Sequence, residues 1–254
     1  MNNCRISNNK LIKIFDFNKQ PLGNGFLHKK DFNKEYFFEM KVGFCNTSKM
    51  FQLNHQPNPN KMFHKNYAFY SSTSKLMKMH FKKFFEELIK HKALKKQNPF
   101  ILEIGSNDGI MLENFSKNKF KHLGVEPSLN VAKIARSKSI NTMVDFFNNK
   151  SGKKIKEKYG KADLIYAANV ICHIPNIKNL FFNIHKILDK NGIFVFEDPY
   201  LGDVIKKTSY DQIYDEHVFL FSLHSIKYLS SIFNLKLIDA KHQETHGGSM
   251  RYYI

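Results

Sequence analysis

The residues with the clearest chemical use are a set of glycines and acids at strand ends. In Phe100-Ile101-Leu102-Glu103-Ile104-Gly105-Ser106-Asn107-Asp108-Gly109 an apolar run of strand length breaks at Gly105 into a glycine-bearing loop, and Ile110 to Phe115 resumes at helical spacing. A second apolar run, His122-Leu123-Gly124-Val125, stops at Glu126. A strand, a glycine turn, a helix start and an acid at the tip of the next strand make half of a nucleotide-type cofactor site. The glycines let the backbone approach a ligand, and the acid can hold two ribose hydroxyls. The dinucleotide pattern G-x-G-x-x-G is absent. That favours a ligand with an adenosine but no pyrophosphate, of which S-adenosylmethionine (SAM) is the common one.

The elements that must carry these residues alternate. Strands are expected near residues 99–104, 121–126, 141–144, 163–168 and 192–197, with two later ones at 235–240 and 250–254. Helices fill the intervals, and Asn191-Gly192 is expected to close the one that carries Leu180, Ile184, Ile187 and Leu188. Alternation of this kind implies an α/β fold with a mainly parallel sheet wrapped by helices and a ligand site at the carboxyl ends of its strands. From Ser71 to Lys96, Leu76, Met77, His80, Phe81, Phe84, Phe85, Leu88 and Ile89 recur at spacings of three and four, which predicts a long helix. Residues 1–65 lack the alternation and read as a separate small domain, with a turn at Pro21-Leu22-Gly23-Asn24 and a linker over Asn54–Asn60. The expected division is 1–65, a connecting helix over 66–98, and a main domain over 99–254.

Composition bounds the partners. The chain has 254 residues, 42% of them hydrophobic, and a formal charge of +18. Such a charge invites nucleic acid, but only Arg5, Arg136 and Arg251 among forty basic residues are arginine, the residue suited to bidentate phosphate and base contacts. The lysines are spread along the chain, so nucleic acid is disfavoured and a small acidic ligand such as a nucleotide-sugar fits equally well. The sequence holds no run of about 18 apolar residues, so no membrane span is expected. Three cysteines and a polar start point to a cytoplasmic protein without a disulfide framework. A monomer or homodimer is expected.

Six segments, taken in order, resemble the SAM-dependent C-methyltransferases that act on nucleotide-linked keto-sugars. Residues 99–109 resemble the family's EIGSNDG loop and Gly124-Val125-Glu126-Pro127-Ser128 its GVEPS. Asn169-Val170-Ile171-Cys172-His173 resembles NV-x-x-H, and Glu197-Asp198-Pro199-Tyr200 resembles E-x-PY. Ile213-Tyr214-Asp215-Glu216-His217 resembles IYHEH, and His246-Gly247-Gly248-Ser249-Met250-Arg251 resembles HGGS-x-R. The resemblance implies a class I (Rossmann-like) SAM methyltransferase fold, seven strands with helices on both faces and a closing antiparallel hairpin, behind a small amino-terminal zinc-binding-like domain. The chain departs from the family in three places. Ser7 and Ser48 stand where each C-x-x-C pair has its second cysteine, leaving Cys4 and Cys45 as the thiols of a degenerate zinc site, and a serine hydroxyl is a poor zinc ligand. Asp215 replaces the first His of the HEH element. Family members continue into a carboxyl-terminal domain, which this sequence, stopping at Ile254, does not include.

The resemblance also implies roles. Glu103, Gly105, Asn107, Asp108 and Gly109 would receive the methionine end of SAM, while Glu126 and Pro127 would hold the ribose. Asp145 and Phe146 would meet the adenine, or form a solvated acid beside a core aromatic. Asn169 would face the same crevice or cap a helix. His217 would be the base that removes the proton beside the sugar ketone, or else a buried histidine of the core. Glu216 would orient His217, Tyr214 would hydrogen-bond the enolate oxygen, and His173 is the second candidate for either task. Tyr67, Tyr70, Tyr200 and His246 would touch the sugar, although His246 reads equally as part of a hairpin turn. Arg251 would pair with a substrate phosphate or with a surface acid. Two rival readings are an O- or N-methyltransferase on a small molecule, and a non-catalytic SAM- or nucleic-acid-binding protein.

Overall fold

Eleven strands run through residues 2–63 and 67–254, which a computed structural model describes. They are β1 (Ile12–Pro21), β2 (Phe37–Cys45), β3 (Met50–Leu53), β4 (Phe100–Ile104), β5 (Lys121–Val125), β6 (Thr142–Met143), β7 (Ala162–Ala168), β8 (Leu188–Pro199), β9 (Phe219–Leu220), β10 (Asp239–Gln243) and β11 (Ser249–Tyr253). The expected boundary at residues 65 and 66 lies outside the described residues. No helix among the described residues is long and apolar enough to cross a membrane.

Seven strands form one sheet in the order β10-β11-β8-β7-β4-β5-β6. β4 pairs in parallel with β5 on one side and β7 on the other, and β5 pairs in parallel with β6. The chain therefore leaves β4 in one direction and later returns to its other edge. This is the switch point at which ligands bind to open α/β sheets. Phe194 and Ile254 exchange both backbone hydrogen bonds at 2.9 Å, the signature of an antiparallel pair, so the last strand runs against β8. This is the fold of class I methyltransferases.

The chain divides into two compact units. One gathers Met1–Met62, Asn169–Lys178 and Glu197–Tyr252; the other gathers Phe63–Ala168, Asn179–Phe196 and Tyr253–Ile254. In the first, β1-β2-β3-β9 make a second sheet, antiparallel throughout. Phe38, Met40 and Val42 alternate along β2, as one face of a strand must, and pack with Phe51, Leu53, Leu201, Val204, Ile213 and Leu220.

In the second unit the predicted helix runs over Lys75–Leu88, shorter than the apolar pattern. Ser74 caps it by accepting from the Met77 amide at 3.2 Å. Phe81, Phe84, Phe85 and Leu88 are its buried stripe, with Phe84 5.2 Å from the Tyr166 ring and Phe85 4.9 Å from Phe115. Leu76 stands exposed. Ile193 and Val195 of β8 join this cluster, while Phe194 between them packs on Phe181 at 5.8 Å. Alternate residues of a strand point to opposite faces, so helices cover both faces of the sheet. The helix before β8 ends at Ile187, short of Asn191-Gly192, because Leu188 already belongs to the strand.

Candidate active site

The glycine loop leaves β4 with Gly105 (φ 69°), Asn107 (φ 47°) and Gly109 (φ 80°) in the left-handed region. Glycine holds that conformation without strain, and asparagine tolerates it better than other side chains. The Gly105 amide donates to the Val125 carbonyl at 2.8 Å, which ties the loop to the tip of β5. A side chain on Gly124 would lie 2.3 Å from Ser106 Oγ, so that strand glycine is what lets the loop settle onto β5.

Glu126 organises the loop. Its Oε2 accepts from the Asn107 amide at 2.9 Å and its Oε1 from the Ser128 amide at 2.7 Å. The Ser128 hydroxyl also favours the charged form of this carboxylate. Burial is the main cause of a raised Glu126 pKa, with the Asp108 charge adding to it against the backbone donors. Glu103 is held well above the ordinary carboxylate range, first by burial and then by the charges of Asp108 and Glu126. Three buried polar atoms here, Glu103 Oε2, Ser106 Oγ and Asp108 Oδ1, have no hydrogen-bond partner among the described residues. Orphaned atoms in a glycine cradle fit a polar ligand with both donors and acceptors, as the aminoacyl and ribose ends of SAM have.

The remaining residues of this unit are tied mainly to one another. Asn107 accepts from the Ser71 amide at 3.1 Å and donates to the Phe69 carbonyl at 3.1 Å, and Asp108 Oδ2 accepts from the Ser72 amide at 3.0 Å. Both side chains thus fasten the loop to segment 69–72. The Asn130 amide group donates to the Tyr67 carbonyl at 2.8 Å and to the Tyr70 phenol at 2.7 Å. Asp145, Phe146 and Pro127 are half-buried, and Asp145 accepts from the Phe146 amide at 2.8 Å.

The first unit brings the predicted base residues together. His217 is buried, with Nδ1 2.8 Å from the Gln212 carbonyl. A carbonyl only accepts, so Nδ1 carries the hydrogen and Nε2 keeps its lone pair. The His173 ring stacks on that of His217 at 5.3 Å and 25°, and the Tyr214 ring lies 4.5 Å from His217. Burial lowers the His217 pKa to about 4, assisted by the charge of His246 against the opposing Gln212 bond. Burial likewise takes His173 well below the usual histidine range, with the charges of His217 and His246 adding to it. Both rings are neutral at physiological pH. His246 is itself exposed at φ 52° in the turn between β10 and β11.

Acids of this unit are held by its own backbone amides and by one side-chain amide. The buried Glu216 accepts from the Asn24 side chain at 2.6 Å, and Asp215 accepts from the Gly23 amide at 2.9 Å. Asp198 accepts from the Val170 and Cys172 amides at 3.0 and 3.1 Å, and burial raises it to about 8. Asn169 adopts φ 52° and donates its amide to the Glu197 carbonyl at 2.7 Å. Tyr200 starts the helix Leu201–Lys207 and donates its amide to Gly248 at 3.1 Å. Arg251 is buried against Glu197, itself a buried acid and not a surface one.

Two contributors, Asn24 and Gln212, escape motif reading, and two more, Gly124 of the GVEPS element and Asp198 of the E-x-PY element, lie inside motifs without having been given a role. Gly124 and Asp198 leave signals, a glycine inside a strand and an acid closing an apolar run. Asn24 and Gln212 leave none, because one acts across the sequence and the other through its backbone.

Residues 77–240 match a family described as "Methyltransferase domain", and residues 4–63 one described as "Putative zinc binding domain". The C-methyltransferase NovU of Streptomyces niveus is 28% identical over 249 residues, covering 97% of this chain and 59% of that protein. The chain thus spans about three fifths of the length of this curated relative. Magnesium protoporphyrin IX methyltransferase (ChlM) of Synechocystis PCC 6803 with bound SAH superposes with a TM-score of 0.52 at 11% identity, over 69% of this chain and 81% of that one. A SAM-dependent methyltransferase from Clostridium acetobutylicum ATCC 824 superposes with 0.53 at 15% identity, over 69% and 90%. The two structures share the fold.

Proposed function

The chain belongs to the methyltransferase-domain family, and from that premise we propose that it methylates a carbon of a nucleotide-linked 4-keto-6-deoxy sugar. The observation that carries this reading is His217: buried, neutral, with Nδ1–H fixed on the Gln212 carbonyl and the Nε2 lone pair left to act. A neutral imidazole held in one tautomer can accept a carbon-bound proton, a step that O- and N-methylation do not need, although burial weakens it as a base.

When bound, SAM supplies an electrophilic methyl group. In the second unit Glu126, the loop Gly105–Gly109 and the acids Glu103 and Asp108 would hold it, with Asp145 and Phe146 toward the adenosine; Asn169, which belongs to the first unit, is a further candidate for the adenosine. In the first unit, His217 Nε2 takes the proton from the carbon beside the ketone. The C–H electron pair becomes the enolate double bond, and the carbonyl pair moves to oxygen, where Tyr214 donates a hydrogen bond. The enolate carbon is then the nucleophile to which SAM would give its methyl group, leaving as SAH with the sulfur–carbon electron pair, and the proton stays on His217 until solvent removes it. Glu216 orients the base, His173 lies against its ring, and Tyr67, Tyr70, Tyr200 and His246 contact the sugar.

The test is solvent deuterium uptake at the carbon beside the ketone of dTDP-4-keto-6-deoxyglucose, in the presence of SAH so that no methyl transfer follows. Wild type exchanges and His217→Ala does not. Exchange retained in the variant moves the base to His173. No exchange with any keto-sugar, while SAH still binds, refutes the substrate class and leaves the cofactor site standing.

A further inference from the structure

Two turns of the first unit are built alike. Cys4-Arg5-Ile6-Ser7-Asn8 and Cys45-Asn46-Thr47-Ser48-Lys49 each run from a cysteine to a serine three residues on. Each then bends through the left-handed region, at Asn8 (φ 63°) and Lys49 (φ 55°). In the first turn the Ile6 and Ser7 amides aim at the Cys4 sulfur at 3.4 and 3.5 Å. In the second the Ser48 amide aims at the Cys45 sulfur. Amides directed at a sulfur stabilise negative charge on it, which is the setting a metal thiolate needs.

The four side chains meet with their partners crossed. Cys4 Sγ lies 3.1 Å from Ser48 Oγ, and Ser7 Oγ lies 3.2 Å from Cys45 Sγ. Around zinc, four sulfurs at about 2.3 Å would stand about 3.8 Å apart along each tetrahedral edge. The backbone thus retains the gathering of a four-ligand site, but the donor set does not fit the metal. Serine hydroxyls stay protonated at neutral pH, and structural zinc takes thiolate or imidazole. Here each hydroxyl instead shares a hydrogen with the sulfur opposite. Burial raises the Cys45 thiol, but hydrogen bonds from Ser48, Ser7 and Cys4 outweigh it and bring the pKa to about 7.

We propose that this knuckle folds without metal, two crossed sulfur–oxygen hydrogen bonds standing in for zinc, and that Ser7→Cys with Ser48→Cys converts the same backbone into a tetrathiolate zinc site. The pseudo-symmetric turns carry the inference, since both keep the cysteine conformation although both have lost the second cysteine.

The test measures metal in the full chain, grown and purified with added zinc sulfate and desalted. Wild type retains less than about a tenth of a zinc per chain, and the double variant retains about one, a complete structural set. Cobalt(II) titration of the double variant gives tetrahedral thiolate absorption that wild type lacks. Stoichiometric zinc in desalted wild type, or a folded double variant that takes up neither metal, overturns the proposal. A second variant covers a failure of the first to fold. The all-serine knuckle, Cys4→Ser with Cys45→Ser, keeps the wild-type circular dichroism, and EDTA leaves the wild-type melting temperature unchanged. Unfolding of the all-serine knuckle, or a melting temperature that drops with EDTA, overturns it too.

Discussion

The Asn24 side chain donates to Glu216 Oε1 at 2.6 Å across 192 residues of sequence. The turn Pro21-Leu22-Gly23-Asn24 therefore holds the two acids that precede His217 in sequence, Asp215 through the Gly23 amide and Glu216 through Asn24, and under the proposed mechanism it supports the base. A hydrogen bond to a charged acceptor contributes about 1.5–3 kcal/mol. Asn24→Ala is expected to lower kcat by about ten- to a hundredfold with a smaller change in KM, since each 1.36 kcal/mol is tenfold in rate. Asn24→Asp sets two carboxylates together and is expected to be worse. Steady-state kinetics decide: an unchanged kcat beside a lowered melting temperature would make Asn24 a purely structural residue.

The depressed histidines set a pH dependence. His217 titrates near 4 when folded and near 6.5 when unfolded. Between those values the unfolded chain binds more protons, so stability rises with pH there. The contribution of neutral His217 is complete above pH 6.5 and is lost as pH falls through 4. The displacement corresponds to about 3 kcal/mol. Urea unfolding of wild type is expected to weaken over this window, and His217→Phe to flatten part of the slope. The same shift keeps the base neutral in mild acid, so the acidic limb of the exchange rate is expected below pH 5. A limb near 6.5 would contradict the burial of His217.

Glu126 offers a test of the cofactor half alone. Its two oxygens each hold one backbone amide, of Asn107 and Ser128, and under the proposed function the carboxylate also accepts from ribose hydroxyls. Glu126→Gln turns one acceptor into a donor that clashes with an amide and loses charge-assisted bonds to the ligand. SAH affinity by calorimetry is expected to fall by about ten- to a hundredfold, equivalent to about 1.4–2.8 kcal/mol. Affinity within twofold of wild type would remove Glu126 from the ribose contacts.

What could be read from sequence follows the range of the interaction. The loop at Gly105–Gly109 and its partner Glu126 were legible because strand, turn and acid are local patterns that the parallel pairing of β4 and β5 brings into register. The end of the helix before β8 was not, because Leu188 fits a helical stripe and a buried strand equally well and only the sheet decides. The tautomer of His217 was hidden as well, since a backbone carbonyl sets it. Asn24 is a plain turn residue until the fold delivers Glu216 to it. Asn107 and Asp108 looked like ligand contacts from their motif, yet their side chains also hold segment 69–72, which no local pattern announces.

Arg251 and Glu197 close the account of the motifs, since two separate elements of the sequence prove to be partners. The pair is buried on both sides, with side-chain exposures of 5% and 2%. Burying an ion pair brings little net stability, but removing one partner strands the other charge at a cost of about 3–5 kcal/mol. Arg251→Met and Glu197→Leu are each expected to destabilise by that amount, and the double variant by much less than the sum. Denaturant midpoints of the four proteins form the cycle. Additive losses would mean that the two charges are satisfied independently. A large coupling would make the pair a fastener between the last strand and β8.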